Sequence, residues 1–288
     1  MNARAKNIEK HANNHIHLST NFNECCNYLQ KQEYDMIIYP EIGLSPYIYF
    51  LALCRLAPIQ ASLIGHPDTS GSPNIDYYFS SKLFQSADID NHFTEKLQHI
   101  PGMPIYYEFP KEIGQRFKTR QRLGLSENKK IYFCPMLLFK VHPFFDEVIE
   151  SILKQDKDAE IILVCFNYIE NVLRNRWKKR FGPKLLKRIK FHLAFSKKDY
   201  FSVLHRSDVI FETFPFGGGN TVLQSMAVGT PIITLPGPFL RSRFGLGFYN
   251  AIGIKDFIAN SVDDYIKKSI ETAHSPQKKQ WFKDHLFK

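Results

Sequence analysis

The chain has no run approaching the roughly 18 consecutive apolar residues that a bilayer-spanning helix needs, so a membrane-embedded enzyme is not expected. Its first fifteen residues carry basic side chains with no apolar segment behind them, which predicts no secretory leader and a cytoplasmic location. Cysteine is scarce and odd in number: Cys25, Cys26, Cys54, Cys134 and Cys165 lie mostly in apolar segments, as reduced core thiols do, and form no disulfide framework. Cys25-Cys26 lacks the paired Cys/His partners of a zinc knuckle, so no metal site is expected. There is no Gly-x-Gly-x-x-Gly after a first strand and no Gly-Lys-Ser/Thr, which disfavours a dinucleotide oxidoreductase and a P-loop ATPase. Nor is there a repeat of roughly 34-residue period. Acidic residues are in deficit, 28 against 38 Lys and Arg, for a formal charge of +10. The densest basic block, Arg174 to Lys190, reads first as a solvated helix face and second as an attraction for an anionic partner. It lacks the interleaved aromatics of a single-strand binder, so no nucleic acid is expected as partner.

What is present is an ordinary globular composition, 44% hydrophobic and 23% charged, over 288 residues. That length suffices for two small domains or one large one. The hydrophobic pattern predicts a helix over Asn21 to Gln32, a strand Met36 to Tyr39, a helix Pro46 to Leu56, and strands Ala61 to Ile64 and Tyr77 to Ser80. Periodicity fades around Gly102 to Pro110, which marks a junction. It resumes with strand Lys130 to Cys134, helix Pro143 to Lys154, strand Glu160 to Cys165, helix Ile169 to Phe181, strand Ile189 to His192, helix Lys197 to Ser207 and strand Val209 to Phe211. Helix Thr221 to Val228, strand Pro231 to Leu235, helix Arg243 to Ile252 and a helical tail follow. Strands alternating with helices specify parallel sheets covered on both faces. The expected partition is a first domain over 1–110, a linker over 111–127 and a second domain over 128–288.

The segment from Asp208 to Gly237 is the most specific feature: an apolar strand, Thr213-Phe214-Pro215, the triplet Gly217-Gly218-Gly219, Asn220-Thr221, a helix, then Gly229-Thr230-Pro231. Glycines here allow positive φ and close approach of backbone N–H groups to a ligand. The helix that follows offers its unpaired N–H groups and dipole to a diphosphate. On spacing alone, a tight strand-to-helix turn with Asn220 as N-cap accounts for the same residues.

This segment resembles the donor-site region of the O-GlcNAc transferase family, which includes bacterial O-GlcNAc transferase-like proteins and cytoplasmic N-glycosyltransferases. Asp208-Val209, Thr213, Gly217 to Thr221, Gly229-Thr230-Pro231, Thr234 and Leu235-Pro236-Gly237 stand in the family's order. Further matches extend the likeness from about Tyr34 to Ile270: Asp35 to Gly43, Arg55-Leu56-Ala57-Pro58-Ile59-Gln60, Gly65 to Gly71, Asp76-Tyr77 and Phe93-Thr94-Glu95-Lys96-Leu97. The resemblance implies an α/β fold of the GT-B kind, two Rossmann-like parallel-sheet domains facing a cleft, here with the first abbreviated.

It also implies roles. Lys140, closing Phe133 to Lys140, would contact the donor diphosphate, where an ammonium offsets the charge that grows as the glycosidic bond breaks. Gly218, Gly219, Asn220 and Thr221 would cradle that diphosphate. Phe195 would offer backbone groups to the uracil, Tyr200 would stack on its face, and Gln224 would bond a ribose hydroxyl. Read as residues alone, Lys140 is an exposed lysine after a strand and Tyr200 a face of an amphipathic helix; Ser196 with Asp199 forms a capping-box-like start for that helix. His142 stands beside the phosphates or caps the next helix. His66 serves as proton shuttle to the acceptor or fixes its loop. Asp68 and Glu41 are the other titratable candidates. Departures from the family fall at Gly219, where relatives have histidine, at Gln224, where they have aspartate, and at Met136 and Leu137.

The expected activity is a metal-independent transfer of N-acetylglucosamine or glucose from a UDP donor to a protein side chain. The alternatives are a truncated nucleotide-sugar-binding or partner-binding module without turnover, and a transferase for a glycan or lipid acceptor. An open strand edge in the abbreviated first domain would favour homo-oligomers.

Overall fold

The computed structural model describes residues 3–40, 42–108, 116–165, 169–193 and 195–286. They gather into two compact units, one of 1–79 with 93–98 and one of 80–92 with 99–288. The sequence places the junction at 102–110; the packing hands 80–92, and everything from 99 onward, to the second unit. The reason is local: Phe84 is fully buried, with its ring 5.7 Å from Phe244 and 5.8 Å from Phe248. Arg243 Nε donates to Phe84 O at 2.6 Å.

In the first unit, β1 (Met36–Tyr39), β2 (Ile59–Leu63), β3 (Tyr77–Ser80) and β4 (Lys96–His99) form a sheet in that order, with β1–β2 and β2–β3 parallel. Helices α1 (Ala3–His11), α2 (Phe22–Lys31) and α3 (Pro46–Leu53) complete it. Helix α2 starts where the Asn21 side chain accepts from Asn23 N and Glu24 N. Helix α3 starts where Ser45 accepts from Ile48 N, with Pro46 in the first turn. Their apolar faces meet β1 in a core of Cys25, Tyr39, Ile42, Leu51, Ala52, Leu56 and Ile75. Neither α1 nor β4 is foreseen from the sequence, because Lys-Leu-Gln-His has no apolar alternation and 3–11 no apolar face to bury.

The motif residues of this unit lock its loops. Arg55 grips Asp76 through Nη1 to Oδ2 at 2.6 Å and Nη2 to Oδ1 at 3.1 Å. Buried Gln60 receives Leu56 N at 3.1 Å and Tyr39 Oη at 3.0 Å, and donates to Cys54 O at 3.0 Å and Asn74 O at 2.7 Å. A buried amide with all its polar atoms engaged specifies one loop arrangement and tolerates no other.

In the second unit, β5 (Lys130–Cys134), β6 (Ala159–Cys165), β7 (Ile189–Leu193), β8 (Val209–Phe211) and β9 (Ile232–Ile233) lie in the order β7-β6-β5-β8-β9, every adjacent pair parallel. All seven residues of β6 are buried, the near-continuous apolar reading that a parallel strand covered on both faces requires. The crossovers are α4 (Asp146–Gln155), α5 (Ile169–Leu186), α6 (Lys197–Arg206) and α7 (Asn220–Ala227); α8 (Phe244–Ala251), α9 (Val262–His274) and α10 (Pro276–Leu286) follow. Helix α4 buries Val148, Ile149, Ile152 and Leu153, the spacing of one helical face.

The basic block is not simply a solvated face. Helix α5 runs to Leu186 through a break at Gly182, whose φ is 78°, and Pro183. Trp177 Nε1 and Arg176 Nη2 both donate to the buried Asp146 Oδ1 at 2.7 Å. Arg174 pairs with Glu170 at 2.6 Å and Arg180 with Glu150 at 3.0 Å. Three of its four guanidinium groups therefore tie α5 to α4 or to itself. Among the described residues, no helix is long and apolar enough to cross a membrane.

Candidate active site

Strands β5, β6 and β7 step outward in one direction, and the chain then crosses back to place β8 on the other side of β5. The crevice outside the carboxyl ends of β5 and β8 is thus the switch point at which open α/β sheets hold ligands. A cavity of about 420 Å³ opens there, lined by Pro135, Met136, Leu137, Lys140, Val164, Phe195, Lys197, Tyr200 and Thr221. Four residues singled out from the sequence come together here: Lys140 from the turn after β5, Phe195 and Tyr200 from before and within the first turns of α6, and Thr221 from the start of α7.

Lys140 ends a short 3-10 turn after β5, Leu138–Lys140. It is not a free surface lysine: Nζ donates to Gly217 O at 2.7 Å and sits 3.8 Å above the centre of the Phe216 ring. Burial lowers its pKa from the usual lysine range, and the nearby Glu212 carboxylate opposes that fall.

The glycine loop differs from expectation in one respect. Gly217, Gly218 and Gly219 all have ordinary φ; what the first two need is space. A Cβ on Gly217 would meet Glu212 Oε1 at 2.2 Å, and one on Gly218 would meet Met136 Sδ at 2.7 Å, while Gly219 faces open space. Asn220 is not the N-cap either. Helix α7 starts at Asn220 with Gly219 as cap, a residue with no side chain to bond the first-turn amides; Val222 N turns back to Gly219 O at 3.1 Å, and the Asn220 and Thr221 amides stand ahead of it. Those N–H groups remain the kind that bind anions.

Tyr200 Oη donates to Gln224 Oε1 at 3.0 Å, so Gln224 holds the ring that lines the cavity and has its NH2 group still to offer a ligand. Burial raises the Tyr200 phenol well above its ordinary pKa, keeping it neutral. Phe195 stacks on His192 with ring centroids 5.3 Å apart. Ser196 caps α6 by accepting from Asp199 N at 3.2 Å, and Asp199 pairs with Lys118 at 2.5 Å. His142 caps the turn that follows it, its Nδ1 accepting from Phe144 N at 3.2 Å.

His66 belongs to the first unit. Its Nε2 lies 3.8 Å from Asp68 Oδ2, and its ring fills the space over Gly43, where a Cβ would meet it at 2.4 Å. The rest of that loop is fastened by buried Glu95, which accepts from Ser70 N at 2.7 Å, from Thr69 Oγ1 at 2.7 Å and from Ser70 Oγ. Burial would raise the Glu95 carboxyl, but these donors hold it below its ordinary pKa. Glu41 lies outside the described residues.

The residue that sequence reasoning passed over is Glu212. It follows β8 directly, is 2% exposed, and accepts from Gly218 N through Oε1 at 3.2 Å. Among the described residues, its Oε2 completes no hydrogen bond, and neither does the buried Thr234 Oγ1. Burial pushes its carboxyl up to about 7, against the nearby Thr234 hydroxyl, the Gly218 and Gly245 amides and the Lys140 ammonium. A carboxylate between an apolar strand and a glycine triplet was the available signal.

A smaller cavity of about 330 Å³ includes Arg120, Arg206, Asp208, Lys279 and Lys283 in its lining. Its cations are largely spent: Arg120 donates to Arg206 O, Ser126 O, Lys129 O and Asp208, and Lys279 to His205 O and Ser207 O. This cluster caps the carboxyl end of α6. Among the described residues, Glu9, His15 and His17 are the group whose ligand atoms lie within 4.8 Å of one another and could hold a metal.

Two parallel-sheet α/β units, the second with a ligand crevice at its switch point, define the GT-B class of glycosyltransferase folds. The profile of Glycosyl transferase family 41 matches residues 107–288, and the chain belongs to that family. It is 24% identical over 223 residues to SPINDLY of Arabidopsis thaliana, named as a probable UDP-N-acetylglucosamine–peptide N-acetylglucosaminyltransferase; the match covers 76% of this chain and 24% of that protein. It is 25% identical over 247 residues to a UDP-glucose:protein N-beta-glucosyltransferase of Actinobacillus pleuropneumoniae, covering 83% of this chain and 38% of that one. The chain thus spans well under half the length of these curated relatives. In structure it superposes on an O-GlcNAc transferase mutant of Thermobaculum terrenum with a TM-score of 0.87 at 17% identity, covering 100% of this chain and 54% of the other.

Proposed function

We propose that the chain transfers a sugar, N-acetylglucosamine or glucose, from a UDP donor to a protein side chain. The observation that carries this reading is the convergence of Lys140, Phe195, Tyr200 and Thr221 on one cavity at the switch point of a family 41 chain. Phe195 and Tyr200 receive the uracil, and the free amide hydrogens of Gln224 meet a ribose hydroxyl. The diphosphate lies against Gly218, Gly219, Asn220 and the Thr221 hydroxyl, at the uncapped start of α7. Lys140 turns from Gly217 O to the phosphates and offsets the charge that develops on the leaving group, where fixed positive charge is most effective. This cation and the α7 amides supply the charge that a divalent ion would otherwise supply, so transfer needs no metal. His66 takes the acceptor proton.

The five free cysteines fit a reducing compartment, and we place the protein in the cytoplasm. Neither nucleic acid nor membrane enters this reading as a partner. Self-association would run along β1, the sheet edge, where Met36 and Ile38 are 42% and 45% exposed.

The test is calorimetric titration with UDP and UDP-N-acetylglucosamine in EDTA, with a donor-hydrolysis assay alongside. Binding with slow hydrolysis is expected. Binding without any turnover, even with acceptor peptides present, identifies a nucleotide-sugar-binding module instead, and no binding at millimolar ligand sinks both.

A further inference from the structure

The two charged groups nearest the glycine loop hold opposite ends of a single peptide unit. Lys140 Nζ donates to Gly217 O at 2.7 Å, and Gly218 N donates to Glu212 Oε1 at 3.2 Å. Cation at the carbonyl and carboxyl at the N–H align with that peptide's dipole, so the three act as one unit. The space beneath is filled by the carboxyl itself: a Cβ on Gly217 would meet Oε1 at 2.2 Å, and one on Gly245 would meet Oε2 at 2.3 Å and Thr234 Oγ1 at 2.7 Å. Oε2 is buried and completes no hydrogen bond among the described residues. An incompletely satisfied carboxyl at full burial calls for an explanation beyond packing.

We propose that Glu212 is a positioning residue of the donor site, which holds the Gly217–Gly218 peptide against Lys140 and takes up a proton when a diphosphate draws that ammonium away. The inference rests on the donor-site reading above. In the ligand-free site, the Lys140 charge supports the ionised carboxylate. A bound diphosphate engages that charge and adds negative charge of its own, so the carboxylate loses its counter-ion and gains a like-charged neighbour, both of which favour the acid form. The proton comes from solvent and rests on Oε2, where it bridges toward Thr234 Oγ1. No covalent bond changes.

The groups facing Glu212 are few. Lys140 comes from the turn after β5, Thr234 from the end of β9, and the Gly245 amide from α8. Tyr265 of α9 donates its hydroxyl to Glu212 O at 3.1 Å, and Tyr249 of α8 also feels its charge. Burial holds both phenols neutral, so neither supplies nor takes the proton.

The experiment is calorimetry of the full chain with UDP-N-acetylglucosamine, whose two phosphates are both esterified and exchange no proton near neutrality. Titrations run at pH 6, 7 and 8, and at pH 7 in buffers of different ionisation enthalpy. The wild type should take up a fraction of a proton on binding, and its affinity should fall about three- to tenfold between pH 6 and 8, since each unit of pKa change is worth tenfold. In Glu212→Gln the uptake should vanish and the affinity should become flat across this range. Uptake that persists in Glu212→Gln, or its absence in the wild type, overturns the proposal while leaving the donor site standing. If Glu212→Gln does not fold, Glu212→Asp replaces it: a carboxyl drawn back from Gly218 must move the pH at which uptake peaks, and an unmoved profile overturns the proposal. No binding at any pH overturns the donor-site reading, and this inference with it.

Discussion

At the scale of single residues, the site turns on Lys140. Its ammonium is half desolvated and already bonded to a carbonyl, so removing it strips positive charge from the cavity and also frees Gly217 O. Lys140→Ala is expected to lower transfer by at least 10²-fold, the scale of losing one preorganised charge donor. UDP-sugar affinity should fall much less. A kcat that stays within tenfold of wild type while only KM rises would show that Lys140 binds the donor without acting in the chemical step. Glu212 makes a second prediction at this scale. Burial pushes its folded pKa up to about 7, above the ordinary glutamate value of 4.5, so the folded chain binds more protons between those values. Stability from this group is fully present below about 4.5 and is lost as pH rises through 7. The loss is on the order of 3 kcal/mol, and Glu212→Gln should remove it. Thermal melting of both proteins from pH 5 to 8 checks this; parallel curves would assign the pH dependence to other groups.

At the scale of elements, the glycine loop is shaped by what lies under it. Gly217 is irreplaceable for its lack of a Cβ over Glu212, whereas Gly219 faces open space. Gly217→Ala should therefore cost about 1–3 kcal/mol, the usual penalty of forcing an atom into a packed region, and Gly219→Ala far less. Denaturant unfolding of the two variants gives the comparison, and equal costs would mean that backbone flexibility, not crowding, is what the triplet supplies. The loop also rests on an aromatic floor, where Phe145, Phe214 and Tyr265 have ring centroids 5.3 to 5.9 Å apart. Tyr265 comes from α9, so the carboxyl-terminal helices help carry the site.

At the scale of the whole molecule, the division between units does not follow the chain. Segment 80–92 leaves the first sheet and packs on α8, where Phe84 is fully buried and a Cβ on Gly247 would meet its ring at 2.0 Å. Phe84→Ala should destabilise the second unit by about 3–5 kcal/mol, the range for losing a buried phenylalanine. Hydrogen exchange would show the loss spreading through α8. Protection lost only in the first sheet would contradict the assignment of 80–92 to the second unit.

The sequence alone determined the order of strands and helices in the second unit, because long apolar runs such as β6 and caps such as Ser196 are local signals. It also determined that Lys140 and Gly217 to Thr221 come together, since they follow strands whose ends must share one edge of a parallel sheet. Short strands without alternation, such as Lys96–His99, carried no such signal. Only the tertiary structure decided that Gly217 and Gly218 serve clearance and not positive φ, that Gln224 first holds Tyr200, and that Glu212 and Lys140 share one peptide. Those facts depend on atoms brought together from positions far apart in the chain, and spacing along a sequence does not encode which buried polar atoms are left without a partner.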